Sequence, residues 1–159
     1  MPADPRLIRW VRASLADHVK AALTAAGLPS AVDGLDDRDD AFMALPDRAE
    51  VAINGPAWRQ LNHGAFRVQV NVNVIVSSIM GLDRNAYTHD TLAGRAKATL
   101  DQVIPVKDHG DSDPAVTLFC LRLRDDIDPS LLVQQIHLDT TDRRRHTVID
   151  ARYVGIFLN

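Results

Sequence analysis

His18, His63, His89, His109, His137 and His146 are the side chains of this chain best suited to bind a metal or move a proton near neutral pH. Their spacing works against a metal site. There is no His-Glu-x-x-His, no paired cysteine and no pair of histidines three to five residues apart, the separation that places two ligands on one helical face. The acidic stretch Asp108-His109-Gly110-Asp111-Ser112-Asp113 has its glycine at the wrong offset for a calcium loop and is expected to be a solvated connection. His89-Asp90 are neighbours in a helical stretch and so point to different sides of it; Asp90 is better placed to serve the helix N-terminal dipole. Cys120, the single cysteine, lies in the apolar run Val116 to Leu123 with no base beside it in sequence, which predicts a buried thiol. The glycines are scattered singly, so no phosphate-cradling or nucleophile-elbow motif forms. No catalytic residue, metal or cofactor is expected.

Arg143, Arg144 and Arg145 are the most concentrated charge in the chain. At a turn between two strands they form either a solvated tip or a contact for something acidic, a phosphate backbone or a neighbouring subunit. Repeated around a ring, such a cluster would make a positive belt that the formal net charge of -3 conceals. The second candidate contact is a face. From Phe66 to Val76 apolar Phe66, Val68, Val70, Val72, Val74 and Val76 alternate with Arg67, Gln69, Asn71, Asn73 and Ile75. Period 2 defines a strand, and eleven residues at ~3.3 Å each span about 36 Å, longer than an ordinary strand. Its Arg67/Gln69/Asn71/Asn73 side is either simply wet or set in a subunit interface or along a lumen.

The elements that must hold these groups can be read in order. Asp4-Pro5 starts a helix over about Pro5 to Ala26, with Ile8, Val11, Leu15, Val19, Ala22 and Ala26 at helical spacing, Leu7, Trp10 and Leu23 widening the stripe, and Gly27 ending it. Pro29 to Asp40 reads as an irregular acidic connection with a short extended piece at Ala31 to Val32. Glu50 to Asn54 is a short strand stopped by Asn54-Gly55-Pro56, with Trp58 to Leu61 extending it beyond a kink. Asn62-His63-Gly64 then turns into the long strand as an antiparallel pair. A second helix is predicted over about Ala86 to Val103, with Tyr87, Leu92, Ala96, Leu100 and Val103 on its buried side and Pro105 marking its end. Three extended stretches follow: Val116 to Arg124, interrupted at Asp125 to Pro129, then Leu131 to Asp139, and after the turn Thr140 to Arg145 a last strand, Thr147 to Leu158. The expectation is an α+β fold in the order α-β-β-α-β-β-β, a mainly antiparallel sheet of about four to five strands packed against two helices.

The 159 residues, 46% hydrophobic and 25% charged, are expected to form one domain, 1–159, around a single core. A nucleic-acid-binding domain is usually basic, and this chain is not. No apolar run reaches ~18 residues and no leader pattern precedes Pro5, so no membrane is expected and synthesis is expected in the cytoplasm.

The order of elements resembles the tail-terminator, or tail completion, proteins of long-tailed bacteriophages. The likeness covers most of the chain. It lies in the N-terminal amphipathic helix (Leu7 to Ala26), the Asp-containing approach to a short strand (Leu45 to Gly55) and the long alternating strand (Phe66 to Ser78). It continues in the helix ending near a proline (Leu92 to Pro105) and the strand, charged turn and aromatic-containing final strand (Ile136 to Asn159). The region Lys107 to Leu131 is longer than that pattern and holds an extra strand. The resemblance implies a non-enzymatic virion protein at the head–tail junction, a homo-oligomeric ring, usually a hexamer, that stops tail-tube polymerisation and meets the head connector or neck protein. DNA would pass through its lumen. Another head–tail connector or a tail-tube component is the alternative within this class. From a different class the alternative is a small α+β enzyme or ligand-binding domain whose histidine and aspartate meet only in the fold.

Overall fold

The computed structural model describes residues 2–81, 83–109, 116–124, 131–139 and 143–159, the 131–139 segment by its backbone. The predicted interruption at 125–129, most of the acidic loop and the first half of the turn at 140–145 lie outside them. Helix α1 (Leu7–Ala25) is followed by β1 (Ser30–Val32), a single helical turn α2 (Asp40–Met43), β2 (Asp47–Asn62), β3 (Ala65–Ile79) and α3 (Ala86–Leu100). Strands β4 (Ile104–Lys107), β5 (Thr117–Leu123), β6 (Leu131–Asp139) and β7 (Arg144–Leu158) complete the chain.

The strands form one mixed sheet in the order β1-β2-β3-β7-β5-β4, and β6 also pairs with β7. This is an α+β fold, but with more strands than the expected four to five. Two differences account for the count. The piece at Ala31 to Val32 is a true strand, parallel to β2 through Ser30 to Val32 opposite Ala49 to Val51. Pro105, read as a helix terminator, lies in β4, paired with Cys120 of β5, while α3 stops earlier at Leu100. The hairpin of β2 and β3 forms as expected, but Gly55-Pro56 does not end β2. The strand passes through a register shift between Asn54 and Ala57 and keeps pairing with β3 to its tip.

One face of the sheet builds the core. Val68, Val70, Val72, Val74 and Val76 of β3 are buried, joined by Ile149, Ala151 and Tyr153 of β7 and Ala49 and Val51 of β2. Helix α1 covers β1, β2 and β4, and α3 covers β3 and β7. The α1 stripe is centred on Leu7, Val11, Leu15, Val19 and Leu23, while Ile8 is turned outward. Trp10 Nε1–H donates to Asp108 Oδ1 at 2.8 Å and the Lys107 N–H donates to Ser14 Oγ at 2.8 Å, which fastens β4 to that helix. Near the end of β7 the Phe157 ring meets Trp10, Phe66 and Phe119 at centroid distances of 6.1, 6.5 and 5.6 Å. In α3 the buried residues are His89, Ala93, Ala96 and Leu100, so the packed face is rotated from the expected one and Tyr87 and Val103 are exposed. Cys120 is exposed rather than buried, because β5 presents Phe119 and Leu121 to the core and period 2 turns the intervening thiol away.

Candidate functional site

The outer face of the sheet is a broad polar surface across β2, β3 and β7. Arg67, Gln69, Asn71 and Asn73 all lie on it, half-buried among their neighbours. The register sets Arg67 opposite Ile156, Gln69 opposite Val154, Asn71 opposite Arg152 and Asn73 opposite Asp150. On the other side Arg67 faces Arg59, Gln69 faces Ala57 and Asn71 faces Asn54. The Asn71 Oδ1 is buried without a hydrogen-bond partner, a group that has lost water without compensation.

Arg59 and Arg67 are direct cross-strand partners of like charge, an arrangement that costs stability unless an anion lies between or beside them. With Arg124, Ala57, Trp58 and Gln69 they line a shallow cleft of about 310 Å³. Neither Arg59 nor Arg67 has a carboxylate within ion-pair distance among the described residues. Arg59 and Arg124 were not singled out by the sequence, because the first stands alone on an exposed strand and the second beside an acidic run.

The triple arginine is not a free basic tip. Arg143 is exposed, with φ of 55°, in the turn before β7. Arg144 is buried, and its guanidinium donates to the Leu45 carbonyl at 2.7 Å, the Met43 carbonyl at 3.1 Å and Ser77 Oγ at 3.4 Å. Arg145 lies half-buried, 3.6 Å from Asp90 on α3. The strand period explains the split: three successive residues cannot all point outward.

His89 is the other finding that the sequence hid. It is fully buried between α3, β3 and β7, with Nδ1 2.8 Å from Ser78 Oγ and Nε2 2.7 Å from Thr147 Oγ1. In the neutral ring one nitrogen donates and the other accepts, and each hydroxyl can answer either need. Burial lowers its pKa below the ordinary histidine value, as does the positive charge of Arg145. No carboxylate hydrogen-bonds the ring and none of the described clefts is lined by it, so this trio reads as a satisfied polar core. Among the described residues no three histidine, cysteine or acidic side chains gather as a metal site would require. Likewise, no helix there is long and apolar enough to cross a membrane.

Beyond Asn54 the hairpin of β2 and β3 forms an arm open on its β2 side only, since β3 stays paired with β7 out to Ala65 opposite Leu158. β1 covers β2 only at Ala49 to Val51, so among the described residues the edge from Ala52 to Asn62 is unpaired. Trp58 and Leu61 are 40% and 47% exposed on it, and Ile156 and Leu158, 46% and 72% exposed, lie at the same end of the molecule. The chain terminus is tied there too, the Asn159 N–H donating to the Gly64 carbonyl at 2.8 Å.

No family model matches the chain, and no curated protein matches it. A solved structure whose name describes no activity is similar over 95% of this chain and 96% of its own, with 18% sequence identity and a TM-score of 0.52. At that identity the likeness concerns the fold alone.

Proposed function

We propose that this chain is a structural, non-enzymatic protein of the tail-terminator type, which assembles as a ring on the end of a phage tail tube, stops its growth and offers a surface for head joining. The observation that carries the reading is the arm: among the described residues the outer edge of β2 from Ala52 to Asn62 is unpaired, and Trp58 and Leu61 are exposed on it. An open edge and apolar side chains of this kind are a liability for a monomer and suitable material for a subunit contact. The half-buried amide face supports it, since amides hydrogen-bond across an interface or along a lumen without strong charge preference. An enzyme reading has its nearest candidate in His89, whose full burial between two hydroxyls favours packing instead.

Native mass spectrometry and negative-stain imaging of the purified protein test the proposal. Rings, or rings formed on added tail tubes that then stop elongating, are expected. A protein that stays monomeric under both conditions rules the reading out, and rings that stack without capping tubes favour a tube or connector component.

A further inference from the structure

Arg59 and Arg67 face each other across β2 and β3, and like charges so placed call for an anion. The chain itself carries one at the far end of the same strand. The segment between β1 and β2 holds Asp37, Asp39 and Asp40, all exposed. Nearby cations are engaged elsewhere in that segment, Arg38 with Asp33 and Glu50, and Lys20 with Asp36. Asp37 and Asp40 have no ion pair among the described residues, and Asp39 caps α2 by accepting the Phe42 N–H at 2.8 Å.

These two surfaces cannot meet within one molecule. The acidic segment leaves β1 beside Val51, where the Asp33 N–H donates to the Val51 carbonyl, and Arg59 lies eight positions further along β2, roughly 26 Å away at ~3.3 Å per residue. A basic surface at one end and an acidic one at the other are suited to a head-to-tail contact between copies, and such contacts form rings when the rotation from one copy to the next closes. Nucleic acid is the less suitable occupant, because a chain of net charge -3 gives no overall attraction to a phosphate polymer.

We infer that the cleft beside Arg59 and Arg67 receives the Asp37 and Asp40 carboxylates of a neighbouring copy of this chain. The inference rests on the ring reading above and names the contact within it. It also assigns a role to the arginine pair that the fold alone leaves unexplained.

Charge exchange tests it. In sedimentation velocity at ~100 mM salt, the Arg59→Glu/Arg67→Glu variant and the Asp37→Lys/Asp40→Lys variant are each expected to need at least about ten-fold more protein to assemble than the wild type. Mixed in equal amounts, the two are expected to assemble together, because every junction is then either native or reversed. Unchanged urea midpoints for each variant establish that the subunit is folded, and co-assembly of the mixture does so independently. Wild-type-like assembly by the arginine variant, or a mixture that stays apart, overturns the contact while leaving the ring reading in place. A wild type that never assembles overturns both. A labelled duplex oligonucleotide is the last probe: an arginine variant that assembles normally but loses oligonucleotide binding overturns the inference in favour of nucleic acid.

Discussion

His89 and Arg144 show how polar side chains can be spent holding elements together. His89 joins α3 to β3 and β7 through two hydroxyls, and its replacement by alanine leaves both hydroxyls and a cavity behind. A loss of about 2–4 kcal/mol in unfolding free energy is expected for His89→Ala, read from urea denaturation. The pH dependence has a definite sign. Burial and the Arg145 and His146 charges lower the folded pKa, outweighing Asp90 and Asp47, so between that value and about 6.5 the unfolded chain binds more protons. The contribution of His89 is therefore complete above about pH 6.5 and is lost as pH falls toward the folded value. Wild type should lose more stability than His89→Gln between pH 7.5 and 5.5, and equal losses would assign the titration to another group. Arg144 makes the same point without titrating. Arg144→Ser removes a buried guanidinium that donates to the Met43 and Leu45 carbonyls and should cost about 1–3 kcal/mol. Arg143→Ser, at an exposed position, should change stability by less than about 0.5 kcal/mol in the same urea denaturation.

At the scale of elements the instructive crossing is that of β5 over β7. A Cβ on Gly155 would come 2.6 Å from the Cys120 carbonyl oxygen and 2.9 Å from the Phe119 ring, so the pairing of Arg122 and Leu123 with Val154 and Tyr153 depends on this glycine. Gly155→Ala should cost about 1–3 kcal/mol and raise amide exchange in β5 more than in β3; uniform exchange would show that the crossing adapts. The long strand, the hairpin and both long helices are legible in the sequence because each carries its own period. β4 is not, because four residues around a proline have no period of their own and are specified by their partners in β5 and α1. The buried face of α3 is hidden because Tyr87 and Val103 are apolar yet lie past the core, whereas His89 is polar yet lies in it. Of the candidate site, the Arg67 to Asn73 face was legible from alternation, but Arg59 and Arg124 became visible only through register, which no local pattern encodes.

Considered as a whole, the molecule is asymmetric from end to end. Its core sits under α1 and α3, while the tip of the β2–β3 arm and the end of β7 carry Trp58, Leu61, Ile156 and Leu158 into solvent. A monomer gains nothing from that exposure. Burying the part of Trp58 and Leu61 still in solvent, 40% and 47% of each, contributes roughly 1 kcal/mol apiece in a subunit contact, so removing them should matter to assembly more than to folding. Trp58→Ser/Leu61→Ser is therefore expected to keep the wild-type unfolding free energy within about 0.5 kcal/mol and to weaken ring formation by at least about ten-fold, measured by mass photometry across a dilution series. The separation of the two readouts is the substance of the prediction. A variant that loses both stability and assembly would place these side chains in the fold of the subunit, and one that assembles like the wild type would leave the arm as a bare hairpin tip. Only loss of assembly with an intact subunit assigns the arm to contact between molecules, the use for which its length and its unpaired edge are suited.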